Sequence, residues 1–260
     1  MAPASYDRAM TSQQFHLDRL SAQSFGSAAE LYDRFRPSLR AVVIDDLAAL
    51  RPVDVLDVGC GTGKGAAELI SRGMRVRGVE IDERMAAVAR GRGVPVDVGA
   101  FESWDAAERR FDLITCADAW HWIDPARGIE KAASVLRPGG TLALFWSFQL
   151  LDDNVDAIFR RIYDKHAPRA LTHSYFPLQA QGEPFEPIPE FSPIETRAYR
   201  WDATVSADEW TGLVATFSDH RRLAPQVLTT VQAALYEAIE DLGGTITVSR
   251  GTQAAFARRV

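Results

Sequence analysis

The sequence has few of the features that mark secreted or membrane-spanning proteins. Only two of its 260 residues are cysteine, and both, Cys60 and Cys116, fall in stretches that we expect to belong to a buried sheet. Such cysteines are poor candidates for a disulfide and fit a reducing compartment. No apolar run is long enough to cross a bilayer, and the first residues lack the apolar segment of a signal peptide. We therefore expect a cytoplasmic protein that does not associate with a membrane.

Lysine is also scarce. The formal net charge is -6 at pH 7, and lysine occurs only at positions 64, 131 and 165. Because the chain lacks a tract rich in lysine and arginine that could neutralise a phosphate backbone, we do not expect it to bind nucleic acid. No group of cysteine, histidine or acidic residues has the spacing of a metal site, so we expect no required metal. The oligomeric state, monomer or homodimer, is left open.

The sequence does contain enough apolar residues for a folded core. Hydrophobic residues make up 47% of the chain and charged residues 25%, close to the average of globular proteins. At this length, the size scaling of domains predicts one catalytic domain with an elaboration or cap.

Between residues 51 and 148, short β-rich runs alternate with amphipathic helical stretches. This alternation predicts an α/β, Rossmann-like fold, with a mostly parallel sheet of seven strands, right-handed crossovers and helices on both faces. In such a sheet, ligands bind at the carboxyl ends of the strands. The predicted strands are residues 53–58, 74–79, 94–98, 113–116, 141–146, 196–201 and 245–257.

The segments on either side of this core are expected to cover it. Residues 1–50 are predicted to form a helical lid, with a helix that ends before Pro37. Residues 149–192 include a proline-rich and aromatic-rich stretch, which we interpret as a cap over the substrate. Residues 193–260 are expected to complete the sheet.

The most specific motif is the run Val-Leu-Asp-Val-Gly-Cys-Gly-Thr-Gly at residues 55–63. It reads as a strand that enters a glycine turn and opens a helix, where main-chain N–H groups can face a ligand. A dinucleotide-binding fingerprint would need glycine in place of Lys64, and a phosphate-binding P-loop would need glycine at Val58 and serine or threonine at Gly65. Both of these alternatives are therefore excluded.

The run resembles the S-adenosylmethionine-binding motif of class I methyltransferases, in particular the family that includes trans-aconitate methyltransferase. The resemblance implies the class I methyltransferase fold. It also implies S-adenosylmethionine as cofactor and S-adenosylhomocysteine as product. In the turn itself, it places Asp57, Gly59, Cys60 and Gly61 at the cofactor.

Further residues follow the other predicted strands. Glu80 ends the second strand, at the spacing of an acid that accepts hydrogen bonds from a ribose diol, and Asp82 is expected to cap the next helix. By resemblance to the family, the adenine would pack against one residue after this strand and meet others after the third strand. The backbone after the fourth strand and an N-terminal tyrosine and arginine would also contact the cofactor. The residues that match these roles are Ile81, Ala100, Phe101, Ala117, Tyr32 and Arg36.

Candidates for the reaction itself are His121 and the aromatic residues around it. His121 follows the fourth strand, in a segment that resembles the family's Ala-x-x-x-His-Trp element, and could act as a general base or orient the substrate. An apolar, aromatic wall with a few polar groups suits a small organic acceptor. The predicted substrate residues are Trp122, Trp146, Phe148, His173, Tyr175 and His220.

Together these features predict a bacterial methyltransferase that methylates an oxygen or nitrogen of a small molecule, for example in natural-product biosynthesis. Two alternatives remain open at this stage. One is a protein of the same fold that binds S-adenosylmethionine without transferring its methyl group, in a regulatory role. The other is a methyltransferase that acts on tRNA or on a protein.

Overall fold

A computed structural model of the protein describes residue 16, residues 25–168, residue 170 and residues 184–260. The strands in this part of the chain are β1 (Asp54–Val58), β2 (Arg75–Glu80), β3 (Val96–Val98), β4 (Phe111–Ala117), β5 (Leu136–Leu151), β6 (Glu195–Ser206) and β7 (Thr245–Arg258). The helices are α1 (Ala29–Phe35), α2 (Ala41–Ala49), α3 (Lys64–Ser71), α4 (Glu83–Gly91), α5 (Pro125–Val135), α6 (Asp153–His166), α7 (Ala207–Val214) and α8 (Pro225–Asp241).

The seven strands form one sheet in the order β3-β2-β1-β4-β5-β7-β6. Strands β1 to β5 pair in parallel with their neighbours, whereas β7 runs antiparallel to both β5 and β6. The predicted α/β fold with a seven-stranded, mostly parallel sheet is thus confirmed. The strand order changes direction between β1 and β4, which opens a crevice at the carboxyl ends of these strands.

Two apolar cores lie on the two faces of the sheet, because successive strand residues point to opposite sides. On β5, Leu142 and Leu144 belong to a core that includes residues of α5, which we call the α5-side core. Ala143 and Phe145 point the other way, into a core shared with α2, α3 and α4, which we call the α3-side core. The strands are therefore apolar on both faces, as a covered parallel sheet requires.

A third core lies at the far ends of the long strands. β5 and β7 pair from Thr141↔Arg258 to Leu151↔Val248, well beyond the reach of β1 to β4. Side chains from α6, α7 and α8 cover these far ends, and Phe159 and Trp210 are fully buried there. The third core combines α6 from the predicted cap with α7 and α8 from the predicted C-terminal segment, so these two segments pack as one unit.

Several elements differ from their predicted bounds. Helix α2 lies within the predicted helical segment 1–50, but its own bounds were not predicted, although its buried Val43, Ile44 and Leu47 have helical spacing. β5 and β6 are longer than predicted, at 16 and 12 residues. Most of β6 is exposed or half-buried, since it is an edge strand of the sheet, and its polar residues therefore resemble a loop in the sequence.

Helix α1, which belongs to the predicted lid segment, is docked on α7 through a close contact between Phe35 and Gly212. A Cβ atom built on Gly212 would overlap the Phe35 ring. Because glycine has no side chain, the Phe35 ring can pack directly against the backbone of α7. This contact holds α1 against the third core.

We predict that Gly212→Ala lowers the free energy of unfolding by about 1–3 kcal/mol, because the new methyl group would overpack against Phe35. The same substitution in an unobstructed helix interior is normally stabilising. Urea unfolding followed by circular dichroism measures the change. As a control, Gly91→Ala in α4, where an added Cβ atom would have no neighbour within 4 Å, should stay within about 1 kcal/mol of the wild type. Equal stability of Gly212→Ala and the wild type would contradict this docking contact.

Candidate functional site

Two cavities open at the carboxyl ends of the strands and meet at the glycine turn. The β2-side cavity is lined by Glu80 and Ile81 and by residues that follow β3 and β4. The β5-side cavity is lined by Asp57 and by residues of β5, β6 and β7. Residues common to both linings are Tyr32, Arg36, Gly59, Gly61, Ala117 and Asp118. A single elongated ligand could therefore occupy both cavities across the turn.

The glycine turn folds back onto β2. Gly59, Gly61 and Gly63 have φ angles of 63°, 56° and 78°, a left-handed region that glycine adopts without strain. The N–H groups of Gly59 and Cys60 donate to the Val79 carbonyl at 2.8 and 3.2 Å. The prediction that these N–H groups face a ligand is therefore wrong for Gly59 and Cys60, because the left-handed backbone turns their donors toward the neighbouring strand.

The Glu80 carboxylate joins the end of β2 to this turn. Its Oε2 accepts a hydrogen bond from the Gly61 N–H at 2.9 Å, and its Oε1 accepts one from the Asp82 N–H at 3.0 Å. Burial raises the pKa of Glu80, and the backbone N–H groups of Asp82, Gly61 and Ile81 oppose that rise. Each carboxylate oxygen has a second lone pair, so Glu80 can also accept hydrogen bonds from a ligand in the β2-side cavity.

Asp57 is the acid of the β5-side cavity. Its side chain is buried and accepts a hydrogen bond from the Thr115 hydroxyl at 2.8 Å. Burial raises the pKa of Asp57 to about 7; the Thr115 hydrogen bond opposes this rise and the charge of Glu80 adds to it. Near neutral pH, a cationic group beside Asp57 would favour its ionised form.

Asp118 fixes the junction between β4 and β5. Its φ angle is 52°, and its carboxylate accepts hydrogen bonds from the N–H and the hydroxyl of Ser147, both at 2.7 Å. A non-glycine residue in this conformation is uncommon and needs such support. Asp118 lies between the two cavities, and our sequence analysis did not select it as a site residue.

Arg36 connects the predicted lid segment to the site. The guanidinium group donates to the hydroxyl of Thr216 at 2.9 Å and to its carbonyl at 3.2 Å, and it lies 4.8 Å from the ring centroid of Phe217. Lys64, in the first turn of α3, donates to the Arg36 carbonyl at 2.6 Å. These contacts connect the lid, the helix after the glycine turn and the segment after α7.

His121 and Trp122 lie on the wall of the β2-side cavity. Burial lowers the pKa of His121 to about 4, with Asp118 opposing the shift and Arg36 adding to it. The imidazole is therefore neutral at pH 7 and able to accept a proton or a hydrogen bond. Trp122 contacts Phe25 edge to face, with ring centroids 6.0 Å apart, and this contact closes the cavity against the N-terminal segment.

The structure brings all the predicted cofactor residues to the two cavities, but only some of the predicted substrate residues. His121, Trp122 and Phe148 line them. Trp146 lies in the α5-side core instead, because its position on β5 points it to the opposite face from Phe145. His173 and Tyr175 lie outside the described residues.

His220 is also away from both cavities. It is fully buried, with Nε2 2.7 Å from the Tyr163 hydroxyl and Nδ1 2.8 Å from an oxygen of Asp219. Both ring nitrogens are thus occupied by protein groups. The structure therefore gives His220 a role in packing the segment after α7 against α6, where its sequence context had favoured a substrate contact.

The residues of the β5-side cavity that were not predicted include Gln149, Trp201 and Arg250. These three come from β5, β6 and β7, and only the strand register brings them together. Of these residues, Arg250 could have been recognised from the local sequence, because it is a charged residue in a strand whose C-terminal half is otherwise largely buried.

Two absences concern only the part of the chain that the structure describes. Within it, no group of three or more histidine, cysteine or acidic residues could hold a metal ion. None of its helices combines the length and the apolar character that crossing a membrane would require.

Comparison with known proteins identifies the domain that contains the glycine turn. Residues 56–144 match the family model of a methyltransferase domain. A methyltransferase of Mycobacterium tuberculosis, itself described as uncharacterized, is 42% identical over 127 residues, which are 48% of this chain and 52% of that protein. A ubiquinone biosynthesis O-methyltransferase of Pseudomonas aeruginosa is 36% identical over 114 residues, which are 41% of this chain and 49% of that protein.

The chain spans about half the length of the curated relatives that it matches. A solved structure of a candidate type II methyltransferase from Anaeromyxobacter dehalogenans covers more of it, with a TM-score of 0.63 and 25% identity over 86% of this chain and 98% of that chain. Residues 56–144 therefore resemble a methyltransferase domain, and the sheet that contains them has the fold of this methyltransferase structure. The resemblance to trans-aconitate methyltransferase in particular stays a prediction.

The raised pKa of Asp57 leads to a prediction about cofactor binding. If the cationic amino group of S-adenosylhomocysteine binds beside Asp57, its affinity should rise as pH increases from about 5.5 to about 7.5, because binding must displace a proton from a carboxyl group whose pKa is about 7. Calorimetric titrations across this range measure the effect.

Asp57→Asn should lose this pH dependence, since the amide does not titrate. Asp54→Asn is the matched control, because Asp54 lies at the other end of β1, pairs with Arg75 at 2.8 Å and has a lowered pKa. A pH dependence that persists in Asp57→Asn would show that another group is responsible.

Proposed function

We propose that the chain is an S-adenosylmethionine-dependent methyltransferase that transfers a methyl group to an oxygen or nitrogen of a small-molecule acceptor. The observation that carries this proposal is the position of Glu80, hydrogen-bonded to the glycine turn at the point where two cavities meet. The methyltransferase domain at residues 56–144 supports the same activity.

The two cavities suit the two ends of the cofactor. In the β2-side cavity, Glu80 would accept hydrogen bonds from the ribose hydroxyls, and Ile81 and Phe101 would pack against the adenine. In the β5-side cavity, Asp57 would pair with the amino group of the cofactor. The bound cofactor supplies an activated methyl group, so the protein needs mainly to position the acceptor and exclude water.

The lid supports the exclusion of water. Arg36 joins the lid to Thr216 on one side, and Lys64 joins it to the helix after the glycine turn on the other. Tyr32 and Arg36 line both cavities, so the cofactor and the acceptor would both have to pass this segment. We infer that the lid opens for exchange of cofactor and product and closes during the reaction.

His121 is our candidate for the group that receives a proton from the acceptor. It lies on the cavity wall next to Asp118, and it is neutral at pH 7 because burial lowers its pKa to about 4. A base with such a low pKa is weak. His121 could therefore take a proton only from an acceptor that loses it readily. Alternatively, His121 would orient the acceptor through a hydrogen bond.

Transfer of an isotope-labelled methyl group tests the activity. The purified protein is incubated with labelled S-adenosylmethionine and a panel of small carboxylic acids, phenols and amines, with bulk tRNA and a protein mixture in separate reactions. We expect label in at least one small molecule and none in the macromolecules. Label only in tRNA or protein would overturn the small-molecule proposal, and binding of the cofactor without any transfer would favour a regulatory role.

Glu80→Gln tests the cofactor site separately from turnover. Because the amide replaces one accepting oxygen by an N–H2 donor, it would set a donor against either the Gly61 or the Asp82 N–H group, and the variant should bind S-adenosylhomocysteine about tenfold more weakly or worse. Glu68→Gln, at an exposed position of α3, is the matched control and should bind like the wild type. Unchanged affinity in Glu80→Gln, measured by calorimetry, would remove Glu80 from the site.

A further inference from the structure

A band of polar side chains crosses one face of the sheet between two apolar cores. Along β7 this face carries Val248 in the third core, then Arg250 and Thr252, and then Ala254 in the α3-side core. The same face of β5 passes from Phe145 through Ser147 and Gln149 to Leu151. A polar band between two buried apolar regions is unusual in a strand face and indicates a role other than packing.

The strand register places the members of this band side by side. Gln149 pairs with Arg250, and Arg250 pairs with Trp201, so the three side chains point from neighbouring strands to the same side. All three line the β5-side cavity. The band is therefore the floor of the cavity at the end away from the glycine turn.

Two polar atoms of this floor lack hydrogen-bond partners among the described residues. Gln149 is only 8% exposed, and its Oε1 accepts no hydrogen bond from the described residues. The Nε of Arg250 is buried and likewise makes no hydrogen bond there. Burying such groups unpaired costs free energy, so their presence on a cavity floor points to a ligand that pairs with them.

The charge of Arg250 is also not balanced by a direct ion pair with a described residue. Burial lowers the pKa of Arg250, and the charge of Glu209 opposes this shift. The Glu209 carboxylate itself accepts hydrogen bonds from the N–H and hydroxyl of Ser206 at the start of α7. By contrast, Arg75 and Arg137 both contact Asp54 at 3.0 Å or less. Arg250 thus stands out as a partly buried cation that faces a cavity.

We propose that Arg250 and Gln149 bind an anionic group of the methyl acceptor, and that the acceptor is a planar molecule with a carboxylate next to a hydroxyl or amine. This inference rests on the methyltransferase function proposed above. A carboxylate matches the fork of donors on a guanidinium group. A neighbouring hydroxyl or amine would donate to the Oε1 of Gln149, and the Trp201 ring supplies an aromatic surface beside them.

The test uses 2-hydroxybenzoate as the probe, with 2-hydroxybenzamide as its neutral match. Each is titrated by calorimetry into the full chain saturated with S-adenosylhomocysteine. We expect the wild type to bind the carboxylate and to bind the amide at least about tenfold more weakly, since the amide cannot pair with a cation. No binding of 2-hydroxybenzoate to a protein that does bind S-adenosylhomocysteine would overturn the proposal.

Arg250→Gln should weaken 2-hydroxybenzoate binding by about tenfold or more and leave S-adenosylhomocysteine binding intact. The matched control is Arg77→Gln. Arg77 lies on β2, pairs with Asp97 at 2.9 Å and lines neither cavity, so its loss should leave the probe's affinity unchanged.

Other outcomes separate the alternatives. If Arg250→Gln also fails to bind S-adenosylhomocysteine, the guanidinium group binds the carboxylate of the cofactor, and the acceptor proposal is wrong. If Arg250→Gln and Arg77→Gln bind the probe equally well, no specific anion site exists at this floor. If the wild type fails to bind S-adenosylhomocysteine, the proposed function itself fails, whatever the probe does.

Discussion

The structure of this site depends on one buried carboxylate. Glu80 is only 7% exposed, and it holds the Gly61 N–H of the turn and the Asp82 N–H that follows β2. Desolvation of such a group is costly unless several donors compensate for it. Because the glycine turn supplies one of these donors, the turn, the end of β2 and the cavity between them are stabilised together. The geometry of the turn and of the cavity beside it is thus largely set by contacts within the protein.

The apolar cores of the fold fix the position of the strands around this site. The cores on both faces of the sheet fix β1, β2 and β4, and the third core fixes the far ends of β5, β6 and β7. The β5-side cavity lies between the α3-side core and the third core, so its polar floor is held by apolar packing at both ends. His220 contributes here as a buried link between Tyr163 and Asp219.

Features that depend on local sequence were the ones that could be predicted. Asp82 was expected to cap a helix, and its side chain accepts from the Arg84 N–H at 2.8 Å. Glycine spacing and β-α alternation likewise led to the sheet and the turn. Other features depend on strand pairing. These are the direction of the turn's N–H groups, the face of the sheet on which Trp146 lies, and the grouping of Gln149, Trp201 and Arg250. Register is a long-range property, so a shift of one residue would reverse every side chain on a strand.

A crystal structure of the protein with S-adenosylhomocysteine tests the central claim most directly. The account predicts ribose hydroxyls within hydrogen-bonding distance of the Glu80 carboxylate, and an amino-acid end that passes Gly59 and Gly61 into the β5-side cavity. A nucleoside bound elsewhere, with Glu80 contacting only the protein backbone, would contradict it.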